Sequence, residues 1–182
     1  MTQQASVKHS RNLAEQYALL RKTLAHYLLL QVGTFVSAFG YDAIGPAMEI
    51  LTNKKAELKI QEIRKRSNDG PNAAAEALGD SLAESMGETF RSDYDIETGN
   101  GFKTVNLRVC GCIESVTAQA EDYGLTQTQA RSIFCGTCMS SYKKAAEGLG
   151  LGFKGRLRGE HGCSMGFSSG QSNSNALKSG GP

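Results

Sequence analysis

The chain has little of what the commoner enzyme classes need. Its 182 residues include only three histidines. They contain no phosphate-binding glycine loop, nucleophile elbow or zinc-protease helix, although glycine is abundant at 21 residues. Surplus charge is missing too: a net charge of +2 gives no global attraction to nucleic acid or to a membrane surface. The N-terminus shows no basic region leading into a short apolar core with a small-residue cleavage site, so export is not expected. The thiols are then expected to stay reduced, in the cytoplasm. Leu24 to Phe39 is the most apolar stretch, but it is short and interrupted by His26, Gln31 and Gly33. It reads as a buried helix and not as a membrane span.

Cysteine is absent from the first 109 residues and again after Cys163. All five fall between, as Cys110-Gly-Cys112, Cys135-Gly-Thr-Cys138 and Gly162-Cys163. Cys-x-x-Cys sets two thiolates on one side of a helical turn or tight loop, and Cys-x-Cys does the same at a strand end. Soft thiolates select zinc or an iron–sulfur cluster, and with so few histidines an all-sulfur site is the economical expectation. Two other readings stand beside it: a redox dithiol at Cys135 and Cys138, and inert thiols packed as small hydrophobes. Gly111, Gly136 and Gly162 beside the cysteines would let amide hydrogens approach a sulfur, as at a metal centre; tight turns explain Gly162 equally.

With 40% apolar and 21% charged residues the chain is ordinarily globular. The expectation is a flexible terminus over 1–9, one domain over 10–168 with a helical half (10–92) and a cysteine-rich half (102–168), and a Ser/Gly/Asn-rich tail over 169–182 that a protein partner would hold. Leu13, Tyr17, Leu20, Leu24 and Leu28 mark an amphipathic helix, within which His26 is a core or surface histidine. Pro46 suits the first position of a second helix carrying Met48, Leu51, Ile60 and Ile63. The basic run from Lys59 to Arg66 reads as its solvated end. After a turn at Ser67 to Pro71, a third helix from Asn72 carries Ala75, Leu78, Leu82, Met86 and Phe90. Glu84 and Glu88 on it read as solvation and not as catalytic carboxylates.

Asp93 to Gly101 reads as a loop, and Phe102 to Cys110 alternates as a strand with Val105, Leu107 and Val109 on one face. A short helix spans Ile113 to Tyr123. Thr126 to Gln129 fits a capping box, opening a helix with Ala130, Phe134, Cys138, Tyr142 and Ala145 near one stripe. Leu151 to Arg158 reads as a strand with Lys154, Arg156 and Arg158 on its polar face. After a turn over Gly159 to Gly162, a last strand points Cys163, Met165 and Phe167 inward.

The strand-end cysteine (Cys110 or Cys112), the helix cysteine Cys135, and Gly159 with Cys163 and Phe167 resemble the L-2-amino-thiazoline-4-carboxylate hydrolase family. More distantly they are similar to the vinyl-reductase-type small-molecule-binding domains that share the fold of vesicle-tethering subunits. The resemblance covers residues 102–168. It implies an α+β fold, with N-terminal helices packed on a small antiparallel sheet beside a cysteine-bearing helix. Cys138 stands where the hydrolase family has an acidic residue, an exchange that gives a metal a softer ligand.

Two functions follow. In the first, Cys110, Cys112, Cys135, Cys138 and Cys163 hold a [4Fe-4S] cluster or zinc beside a small-molecule cavity roofed by the N-terminal helices, with one of Cys110 and Cys112 spare or reactive. In the second, Cys135 near a helix start attacks a carbon–nitrogen bond of a small cyclic substrate, with Glu114 or His161 as proton carrier. A third use, Lys154, Arg156 and Arg158 with Lys143 and Lys144 as an anion or nucleic-acid surface, lacks interleaved aromatics.

Overall fold

The computed structural model describes residues 12–67 and 70–170. The expectations for the N-terminal residues 1–9, the middle of the turn after Ser67, and the tail beyond Gly170 lie outside the described residues. The fold is α+β, as the resemblance over residues 102–168 implied.

Helix α1 (Leu13–Phe39) begins at a capping box in which the Asn12 side chain accepts from the Glu15 amide at 2.9 Å. The helix is continuous through His26, and the apolar stretch from Leu24 is its second half. The stripe expected from Leu13, Leu20 and Leu24 is displaced by one residue: Ala25, Leu29, Val32 and Gly33 are buried, whereas Leu13 and Leu20 are exposed. Leucines lie on nearly every face of this helix, so periodicity alone does not choose the buried one.

A short 3-10 turn (Tyr41–Ala43) leads into α2 (Ile44–Arg66), in which Pro46 lies within the first turn instead of opening it. The two helices are bent by 117° to each other, and no single helix among the described residues is long and apolar enough to cross a membrane. Pro71 is the first residue of α3 (Pro71–Glu84), which buries Ala75, Leu78 and Leu82. The α-helical pattern stops at Glu84 and a π-turn (Ser85–Thr89) follows, which carries Met86.

Residues expected to form a loop are strand β1 (Asp93–Gly99), paired antiparallel with β2 (Phe102–Val109). Asp93, Asp95 and Glu97 are poor strand formers in isolation, but Tyr94 and Ile96 alternate with them and the partner strand supplies the ladder. Helix α4 (Gly111–Thr117) is shorter than expected and passes into a 3-10 turn (Ala120–Tyr123). Helix α5 (Gln127–Gly148) starts at the expected Thr126 capping box, and β3 (Gly152–Arg158) and β4 (Gly162–Ser168) form the expected hairpin. The sheet order is β1-β2-β4-β3, antiparallel throughout.

The core lies between one face of this sheet and the helices. Val105, Leu107, Met165 and Phe167 project from the central strands against Leu78 and Leu82 of α3 and Tyr142 of α5. Asn106 is also buried, on the opposite face: it donates to Glu97 at 2.9 Å and accepts from Ser164 at 2.8 Å, so its amide is satisfied within the sheet.

Candidate functional site: a cysteine-lined cavity

A cavity of about 590 Å³ opens between the helices and the inner sheet face, and all five cysteines line it. They arrive from three pieces of backbone. Cys110 follows β2 and is the N-cap of α4; Cys112 is in the first turn of α4; Cys135 and Cys138 share a face of α5; Cys163 points inward from β4. The two hairpins are locked together at this point, because the Cys110 amide donates to the His161 carbonyl at 2.9 Å. The remaining walls are mostly apolar: Val32 and Phe35 from α1, Met48 and Leu51 from α2, Phe134 and Met139 from α5, and Leu107 and Met165 as the floor. Met86, carried on the π-turn, places its sulfur 4.0 Å from that of Cys110. A π-turn displaces the helix end by a fraction of a turn, a common device at ligand sites.

Burial dominates the electrostatics of the thiols. It raises Cys110 and Cys135 above the ordinary cysteine value and pushes Cys138 and Cys163 up to about 12. The same desolvation, reinforced by the sulfurs of Cys110, Cys138 and Cys135, raises Cys112 furthest. Amides of Ile113 and Cys112 favour the Cys110 thiolate, and the Arg131 guanidinium favours that of Cys135, but neither outweighs desolvation. All five are therefore protonated at neutral pH in the absence of a bound cation.

Among the described residues, no group of three or more His, Cys, Asp or Glu side chains is arranged as metal ligands. The side chains have the arrangement of free thiols. The donor set nevertheless has the chemistry of a soft-metal site, because the thiols share one low-dielectric chamber and a bound cation is what would allow several of them to ionise there.

Cys135 is the ninth residue of α5 and not near its start, so the helix N-terminus does not lower its pKa. Glu114 is absent from the cavity lining; its carboxylate is 3.6 Å from Arg21 on the outside of α4. His161 does line the cavity, with its Nε2 3.3 Å from the Thr117 hydroxyl. Of the three expected catalytic groups, two are together and the third is elsewhere. His26 is exposed and is hydrogen-bonded to the Tyr123 hydroxyl. Glu84 pairs with Arg66, consistent with a solvating role.

Several cavity residues were not singled out from the sequence as functional. Lys59, expected on a solvated helix end, is partly buried: its ammonium donates to Ser81 Oγ at 2.8 Å and lies 4.7 Å from the centroid of the Tyr142 ring. Burial lowers its pKa, against an opposing pull from Glu62. Lys55, one turn earlier, also lines the cavity. Arg131 is not part of the lining but acts on Cys135 from one turn before it; it bonds the Gly159 carbonyl at 2.5 Å, and its buried Nε has no hydrogen-bond partner. Its position four residues before Cys135 on one helix face was the available signal.

Of the three cysteine-flanking glycines, Gly111 and Gly162 serve packing. A Cβ on Gly111 would lie 1.9 Å from the Phe90 carbonyl oxygen, and one on Gly162 would meet the carbonyls of Leu107, Arg108 and Arg158 at 2.7 to 2.9 Å. Gly136 faces open space. Gly111→Ala is therefore expected to cost at least roughly 1–3 kcal/mol. Gly136→Ala, in mid-helix, should gain roughly 0.5–1 kcal/mol. Urea denaturation of the two variants checks both signs.

No protein-family model matches the chain, and no curated protein matches it. Fold and site together define a class only: an α+β domain with a thiol-lined internal cavity.

Proposed function

We propose that this protein is a small-molecule-binding or sensing domain whose cysteines hold a soft metal centre, zinc or a [4Fe-4S] cluster, in the wall of its cavity. The observation that carries this reading is the meeting of every cysteine in the chain, from three separate backbone segments, in one chamber of about 590 Å³. That volume suits a drug-sized ligand. Four of the five thiols suffice for either centre, and the spare lies at Cys110 or Cys112. The walls select a largely apolar ligand, and Lys59, held between Ser81 and the Tyr142 ring, supplies a cation to meet an acidic or carbonyl group on it. The resemblance to small-molecule-binding domains agrees with this arrangement.

Protein purified without oxygen and without chelator decides the question through elemental analysis and a visible spectrum. A broad visible band with stoichiometric iron and sulfide identifies the cluster. A colourless protein with stoichiometric zinc identifies the other centre. Metal-free protein that takes up neither sinks the proposal.

A second reading keeps the hydrolase resemblance: Cys135 attacks a carbon–nitrogen bond of a small cyclic substrate. Arg131 beside Cys135 and His161 in the same cavity favour it. The raised Cys135 pKa and the remote Glu114 weigh against it. Metal-free protein that turns over a thiazoline or cyclic amidine, and loses this with Cys135→Ser, would establish it.

A further inference from the structure

The sheet face turned away from the cavity has a charge pattern that the site does not use. Its two edge strands are β1 and β3. β1 presents Asp93, Asp95 and Glu97, all exposed, and β3 presents Lys154, Arg156 and Arg158, all exposed. The register joins them in rungs: Asp95, Asn106, Ser164 and Arg156 lie across the four strands, and Glu97, Thr104, Gly166 and Lys154 form the next. At about 4.8 Å per strand, the acidic and basic ends of a rung are roughly 14 Å apart, too far to pair within one chain. Arg108 bridges Asp93 at 2.6 Å and Asp95 at 2.9 Å, which leaves the acidic edge with an excess of negative charge. Among the described residues, none of Lys154, Arg156 and Arg158 forms an ion pair.

We infer that this face is a docking surface for a second copy of the chain, stacked sheet to sheet about a two-fold axis running along the strands. That operation carries β3 of one copy over β1 of the other at the same height. Arg156 then faces the partner copy's Asp95 rung end, and Lys154 the Glu97 rung end, twice over by symmetry. In the centre, Thr104 then faces Gly166, and Asn106 faces Ser164. A two-fold axis across the strands in the sheet plane would set like charge over like, so the charge pattern selects a single arrangement. The face covers about 20 Å by 23 Å, so the pair buries on the order of 900 Å², the size of weak, transient interfaces. Association should accordingly be reversible and salt-sensitive.

Sedimentation of the full chain at low and high salt, with two charge variants, tests this. Lys154→Glu with Arg156→Glu makes both edges acidic; Asp95→Lys with Glu97→Lys makes both basic. The wild-type protein should dimerise, at least tenfold more tightly in about 0.05 M than in about 0.5 M salt. Each variant alone should be monomeric, and an equimolar mixture of the two should form a one-to-one heterodimer, which a misfolded variant would not do. A wild type that stays monomeric at low salt overturns the inference. So do variants that dimerise as well as wild type, a mixture that does not associate, or a monomeric protein that uses the three basic residues to bind a polyanion such as duplex DNA.

Discussion

Metal-free protein loses stability steeply as the pH rises above 9. Burial pushes the Cys138 and Cys163 thiols from the ordinary 9.0 up to about 12, so between those values the unfolded chain releases protons that the folded chain keeps. A group whose folded pKa is raised contributes stability that is complete below its unfolded value and disappears as the pH climbs towards its folded value. At about 1.4 kcal/mol per pH unit, each of these two thiols costs on the order of 3 kcal/mol by pH 11, and the pair on the order of 5 kcal/mol, a large share of a typical domain's stability. Cys110, Cys112, Cys135 and Tyr142 are shifted in the same direction by the same desolvation. Urea titrations at pH 8, 9.5 and 11 measure the loss, and Cys163→Ala should remove about half of the part assigned to the pair. A bound soft metal reverses the sign: its ligands are thiolates in the folded state, so stability is present at alkaline pH and is lost as acid displaces the metal. Stability that does not change between pH 8 and 11 in the absence of metal would contradict the buried, neutral thiols described above.

Phe167→Ala is expected to be the most damaging single truncation. The side chain is 1% exposed on the central strand β4, with its ring 5.9 Å from that of Tyr142 and 5.8 Å from that of Phe153. It joins the sheet to the helix that carries two of the cysteines. Losing it forfeits the transfer free energy and leaves a void between rigid elements, together about 3–5 kcal/mol. In a domain of this size the melting temperature should fall by roughly 10 °C. Phe167→Leu, which fills most of the space, should cost much less. Equal melting temperatures for the wild type and the alanine variant would show that the core is not centred here.

The sequence made the convergence of the cysteines legible because their spacing combines with two periodicities. Cys135 and Cys138 fall on one helix face, and Cys163 shares the inward alternation of Met165 and Phe167. The Thr126 cap and the β3-β4 hairpin were legible for equally local reasons. Strand β1 was not, because Asp93, Asp95 and Glu97 disfavour strands in isolation and only the register with β2 makes them one. The stripe on α1 was misplaced because apolar residues crowd several of its faces. Lys59 was read as solvated since nothing in its neighbours along the chain reveals Ser81 or Tyr142. The π-turn leaves no trace in the residue pattern that produces it.

The order of the strands bears on how the protein assembles. Each hairpin closes over a short turn, an event of microseconds, while the β2-β4 seam joins residues as far apart as Phe102 and Ser168 and must await closure of the long intervening chain. The slow step of folding is thus expected to be the docking of one hairpin on the other, and only then do Cys110 and Cys163 share a chamber. A nascent or partly unfolded chain has its sulfurs in two unconnected halves, so maturation of any centre they hold must follow the rate-limiting step.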